Sequence, residues 1–104
     1  MKGKTFGARV VELALTIPCG RVTTYGDLAR AAGGTPMTAQ SVSGILWRAE
    51  ENGVKGIPWH RIVYSDGRAW FDETHREARL ELYKKEKIKI DENGKVVDFD
   101  EIRF

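Results

Sequence analysis

Phe6, Val10, Leu13 and Ile17 fall at helical spacing with Ala14 on the same face, which predicts a first helix over about residues 5–17. Ile17-Pro18-Cys19-Gly20 ends it, because Pro18 cannot continue the hydrogen-bond ladder and Gly20 adopts turn conformations freely. Arg21-Val22-Thr23 suits a short extended piece. Thr24 is then placed as the N-cap of a second helix over 25–32, with Asp27 in the capping-box position and Gly33-Gly34 as the stop. Thr35-Pro36 opens a third helix over about 37–50, whose apolar face is Val42, Ile45, Leu46 and Ala49. Its other face starts with Thr38, Gln40 and Ser41 and ends with Trp47 and Arg48. Two short helices joined by a tight glycine turn, over about 24–50, describe a helix-turn-helix; the competing possibility is two ordinary packed helices.

The second half is patterned differently. A glycine-containing loop over 51–56 leads into Ile57-Pro58-Trp59-His60-Arg61-Ile62-Val63. Pro58 fixes its own φ and pushes Ile57 out of the α region, so the turn is stiff, and Ile62-Val63 leaves it as a short buried strand. Ser65-Asp66-Gly67 predicts a turn. A fourth helix is expected over about 72–86, capped by Asp72 or Thr74, with Ala78, Leu82 and Lys85 along one stripe and His75 facing solvent. Lys87-Ile88-Lys89-Ile90 and Lys95-Val96-Val97-Asp98 flank Asn93-Gly94 and predict a small hairpin. The fold class expected is mainly α with small β elements.

Composition narrows the class. The 104 residues, 41% hydrophobic and 31% charged, suit one domain over 1–104 with a real core. No apolar run approaches the roughly 18–20 residues of a membrane span, and no signal peptide is visible, so a cytoplasmic protein with no membrane partner is expected. Cys19 is the one cysteine, which excludes an intramolecular disulfide. The net charge of +2 is too small to imply nucleic acid, but it is uneven. Residues 1–61 carry eight basic and four acidic side chains, and residues 62–104 carry nine and eleven. A polyanion should therefore meet the first part.

Candidate chemistry concentrates at two places. Trp59 is either a packing corner or a flat face held at a fixed angle for a ligand. Thr38, Ala39, Gln40, Ser41, Ser43 and Gly44 begin the third helix. Such short, uncharged residues allow close backbone approach and neutral hydrogen bonds to phosphate, but not bidentate base reading, for which only Gln40 has the reach. Cys19 has no His or Asp near it in sequence to activate it and is expected to be a small semi-buried thiol. No spacing of ligands supports a metal site, and no cofactor is implied.

Two motifs carry a resemblance. Ile17-Pro18-Cys19-Gly20-Arg21-Val22-Thr23-Thr24-Tyr25-Gly26-Asp27-Leu28-Ala29 resembles a signature of the DNA-binding domain of O6-alkylguanine-DNA alkyltransferases. Pro58-Trp59-His60-Arg61-Ile62-Val63 resembles that family's active-site motif with tryptophan where the alkyl-accepting cysteine stands, the hallmark of the alkyltransferase-like proteins. The resemblance covers about residues 5–90. It implies a single winged-helix-like DNA-binding domain containing the helix-turn-helix, the 58–61 motif, and a C-terminal helix and hairpin over about 72–98. It further implies a sensor that flips O6-alkylguanine in duplex DNA and directs it to nucleotide excision repair proteins. Nothing suggests oligomerisation, so a monomer is expected. The implied lesion pocket is Tyr25, Trp59, His60, Arg61 and Ile62, with Glu86 orienting His60. The implied DNA contacts are Thr24, Tyr25, Thr38, Ala39, Gln40, Ser41, Ser43, Gly44 and Arg48. Gln40 stands where most members carry an arginine finger that fills the space of the flipped base. The glycine-tyrosine-serine loop of the transferases has no recognisable counterpart in residues 68–72.

The residues themselves argue against catalysis at the corner. Alkyl acceptance requires a nucleophile, and the indole N–H of Trp59 only donates. Two alternatives stay open: alkyl transfer to Cys19 or a glycosylase-like activity of His60 with Glu86, and a sequence-specific helix-turn-helix regulator.

Overall fold

The computed structural model describes residues 5–71 and 73–104, so the capping role expected of Asp72 lies outside the described residues. Helix α1 spans Phe6–Leu15, strand β1 Thr23–Thr24, α2 Tyr25–Ala31, α3 Ala39–Glu51, β2 Ile62–Val63, α4 Arg76–Lys85 and α5 Phe99–Ile102. The architecture is mainly helical with one small two-stranded sheet. By contact it divides into two compact units, one of Tyr25–Pro58 with the chain up to Thr16, the other of Ile17–Thr24 with Trp59–Phe104.

In the first unit α1, α2 and α3 pack on one another. Thr5 caps α1 by accepting the Ala8 N–H. The buried side chains on the helices are Val10 and Ala14 of α1, Leu28 and Ala29 of α2, and Val42 and Leu46 of α3, joined by Ala32 and Ile57 outside them. Each fully buried Val or Leu contributes about 1.5–3 kcal/mol, so these few residues hold the three helices together. Gly34 marks the tightest approach. A Cβ there would lie 2.3 Å from Thr38 Oγ1 and 2.7 Å from the Phe6 ring, so no larger residue fits. The third helix opens with a 3-10 turn, Pro36–Thr38, where a continuous α-helix is expected from the sequence. The Thr38 hydroxyl closes that turn, donating to Thr35 C=O and accepting the Thr35 N–H.

In the second unit β1 and β2 run parallel, with Thr23 beside Ile62 and Thr24 beside Val63. The chain end adds a third edge, because Val22 N–H donates to Ile102 C=O and Phe104 N–H donates to Val22 C=O. The core is Val22, Val63, Tyr83, Ile88 and Val96, with Phe71, Ile90, Phe99 and Ile102 packed against it. Ile90 and Val96 pair antiparallel across the turn closed by Asp91.

Helix α4 departs from its expected position. It starts at Arg76, with His75 rather than Asp72 or Thr74 at its N-cap. Ala78, Leu82 and Lys85 are all exposed; the inward side carries Tyr83, which is buried, and then Glu86 at the C-cap. The helix is too polar for a stripe of two apolar residues to set its rotation. One large aromatic ring and one carboxylate with cationic partners set it instead. Among the described residues no helix is long and apolar enough to cross a membrane. Nor, among them, do three His, Cys, Asp or Glu side chains gather in a way that could hold a metal.

Candidate functional site

The second unit contains a buried ionic corner. Trp59–Arg61 forms a 3-10 turn leading directly into β2, so the position of His60 and Arg61 is tied to the sheet. Trp59 itself is half-buried, outside the apolar core of this unit. His60 is buried, its Nε2 hydrogen-bonded to Glu86 Oε2, and its ring meets the edge of Tyr83 at 6.0 Å. Arg61 grips the same carboxylate side-on: Nε donates to Oε1 at 2.9 Å and Nη2 to Oε2 at 2.8 Å. Its Nη1 donates to Ile17 C=O at 2.9 Å. The Gly20 N–H completes the set at 3.0 Å from Oε1.

Glu86 sits at the C-cap of α4, where the helix dipole disfavours a negative charge. Burial also pushes its carboxyl up, but the hydrogen bonds from Arg61, Gly20 and His60 outweigh this and hold it at about 2. The hydrogen bond to Glu86 raises Arg61 in turn, against the opposing effect of its own burial, and Cys19 adds a smaller contribution. Imidazole and guanidinium are thus fixed by one ionised carboxylate.

Two motifs forty residues apart in the chain therefore converge on Glu86. The contributions of Ile17 C=O and Gly20 N–H are backbone contacts that residue identities could not announce. Cys19 has no His or Asp near it in sequence, yet the turn that holds it folds onto Arg61. The thiol is exposed rather than semi-buried, and among the described residues it makes no hydrogen bond to His60.

The first unit carries the other candidates. Tyr25 opens α2 half-buried, directly after Thr24, which is buried in β1. On α3, Gln40, Ser41, Ser43, Gly44, Trp47 and Arg48 are exposed, opposite Val42 and Leu46; Ala39 is half-buried. Among the described residues Gln40, Ser41, Ser43 and Arg48 make no side-chain hydrogen bond or ion pair. Gly44 has nothing within 4 Å of the position its Cβ would take. A glycine inside a helix costs about 0.5–1 kcal/mol relative to alanine, and here no packing inside the chain requires it. Trp47, at the end of this face, is 59% exposed.

Comparison with known proteins fits this layout. Residues 5–88 match the family model described as the 6-O-methylguanine DNA methyltransferase DNA-binding domain. The chain is 44% identical over 66 residues to a DNA base-flipping protein of Escherichia coli, matching 64% of this chain and spanning about half the length of that relative. It is 34% identical over 91 residues to the DNA base-flipping protein of Vibrio parahaemolyticus, covering 88% of each. The fold is similar to the crystal structure of S. pombe Atl1 in complex with damaged DNA containing O6-carboxymethylguanine, with a TM-score of 0.73, 23% identity, and coverage of 100% of this chain and 98% of that one.

Proposed function

The chain belongs to the family of the 6-O-methylguanine DNA methyltransferase DNA-binding domain, and from that premise we propose that it is a non-enzymatic sensor of O6-alkylguanine in duplex DNA. The observation that carries this reading is the corner itself. The buried His60–Glu86 pair that could serve a nucleophile is intact, while the side chain immediately before His60 is the indole of Trp59. An indole accepts no alkyl group, but it offers a broad face. One aromatic stack on an extruded base is worth about 1–3 kcal/mol, and extrusion costs a few kcal/mol, less for a damaged pair. The two are comparable, so weakening of the pair by the lesion decides whether the complex forms. His60, Arg61 and Glu86 then hold the indole in place rather than move protons.

The exposed face of α3 supplies the approach to the duplex in this reading. Its short side chains and Gly44 let the helix backbone come close to the sugar-phosphate strand, with Arg48 as the cation and Gln40 entering the space left by the flipped base. A protein that holds the lesion and cannot remove it leaves the chemistry to others, which supports a hand-over to nucleotide excision repair. Incision of an alkylated duplex by a reconstituted excision system should rise on adding the protein, and an unchanged rate would rule the hand-over out.

The direct test is Trp59→Ala. Affinity for a duplex with a single O6-methylguanine should fall by about one to two decades at fixed salt, while affinity for the undamaged duplex barely moves. A parallel fall of both would make Trp59 a packing residue. Alkyl transfer to Cys19 is the competing reading, favoured by its place beside Arg61. Labelled methyl groups appearing on the wild-type protein, and lost in Cys19→Ser, would replace the sensor by an enzyme.

A further inference from the structure

A second surface lies on the same unit as the corner and shares only Tyr83 with it. An open groove of about 510 Å³ runs between α4 and the segment that follows it. Leu80, Tyr83, Ile88 and Ile90 give it an apolar lining, and Lys84, Lys87 and Lys89 complete it. Leu80 is left 38% exposed. The lysines have no acid within their own stretch: Glu86 is the one acidic residue between Leu82 and Ile90, and its carboxylate is turned to His60 and Arg61. Among the described residues none of the three lysines forms an ion pair.

One border of this surface is also a strand edge. The Ile90–Val96 pairing is made by Asp91 N–H to Lys95 C=O and by Val97 N–H to Lys89 C=O. The N–H and C=O of Ile90 itself take no part and are directed to the outer edge, where an extended chain could add a strand. Phosphate would profit from the lysines but not from Leu80, Ile88 and Ile90. An apolar ligand would profit from the lining but not from three unpaired ammonium groups. A segment that carries both acids and a bulky apolar side chain matches both halves.

We propose that this groove docks an extended acidic segment of a partner protein, with one bulky apolar side chain between Leu80, Ile88 and Ile90 and carboxylates facing Lys84, Lys87 and Lys89. The proposal does not depend on lesion recognition. It is tested by fluorescence anisotropy of the whole chain with a labelled peptide Glu-Asp-Glu-Phe-Glu-Val-Asp-Glu. Two control peptides carry Ser in place of Phe and Val, or Gln and Asn in place of the acids. The first peptide should bind at least about ten-fold tighter than either control. Its binding should weaken as salt is raised from about 50 to about 500 mM. Leu80→Asp, and separately the combined Lys84→Glu, Lys87→Glu and Lys89→Glu variant, should each lose about ten-fold or more for the peptide while keeping wild-type melting temperature and duplex affinity. Equal affinity for all three peptides, or binding of none, overturns the proposal. So does a lysine variant that loses duplex affinity and keeps the peptide, since the groove would then be a phosphate surface.

Discussion

On α3 the outward side chains of Gln40, Ser41, Ser43 and Arg48 are bound to nothing else among the described residues, whereas at Glu86 each carboxylate oxygen is held by at least two partners. The glycines make the same contrast within the first unit. Gly34 is required because Phe6 and Thr38 occupy the space of a side chain; Gly44 faces empty space. The difference separates two kinds of constraint. The Glu86 network and Gly34 are set by the fold, so changes there should appear first in stability. The α3 face is not needed by the fold, so changes there should appear in binding and leave stability alone or improve it. Substitutions in the two regions can break or sharpen that division.

The largest effect is expected at Glu86. Glu86→Gln keeps the shape and removes the charge that holds Arg61 and His60, and breaking a buried pair in this way costs roughly 3–5 kcal/mol. Urea unfolding at neutral pH should report a loss of that order. The pH dependence follows with a definite sign. The carboxyl is held down from 4.5 to about 2, so its contribution is complete above about pH 4.5 and disappears as pH falls through about 2. The wild-type melting temperature should therefore drop across that interval more steeply than that of Glu86→Gln. Superimposable pH profiles would mean the network contributes nothing.

The same division explains what the sequence disclosed. The helices of the first unit were legible because Val10, Ala14, Val42 and Leu46 recur with the helical period and bury the faces they predict. The corner was legible as a run of residue types, because Pro58 and the β-branched Ile62-Val63 restrict the backbone locally. What failed was α4. Only Leu80, Leu82 and Tyr83 are large and apolar there, and the carboxylate that helps set its rotation, Glu86, has its partners far away in sequence. Short elements resting on long-range backbone bonds, such as α5 and the Val22–Arg103 bridge, leave no periodic trace at all.

A smaller effect is expected from Gln40→Arg. Gln40 is exposed in the first turn of α3 and has no partner among the described residues, so the change should leave the melting temperature where it is. If this face meets phosphate, one added cation strengthens duplex binding by about 1 kcal/mol and steepens the salt dependence by nearly one unit of slope. Gln40→Ala should weaken binding to the lesion duplex without changing that slope. A salt dependence identical in all three proteins would remove Gln40 from the interface.

The smallest expected change is also the sharpest test of the division, because its two readouts move in opposite directions. Gly44→Ala adds a methyl group to an open position inside a helix. The unfolded chain loses freedom and the helix gains a better former, so stability should rise by about 0.5–1 kcal/mol. For a domain of this size that is a few degrees in melting temperature. If Gly44 is present so that a duplex backbone can approach the helix axis, the same methyl group stands in the way and affinity for DNA falls while the protein becomes more stable. Gly44→Leu should extend the loss of binding without a matching loss of stability, since nothing within 4 Å of the Cβ position resists it. Calorimetry and a duplex titration at one salt concentration measure both quantities on the same samples. A variant that is more stable and binds DNA as well as the wild type would show that nothing approaches this face closely, and the assignment of α3 to the duplex would have to be given up.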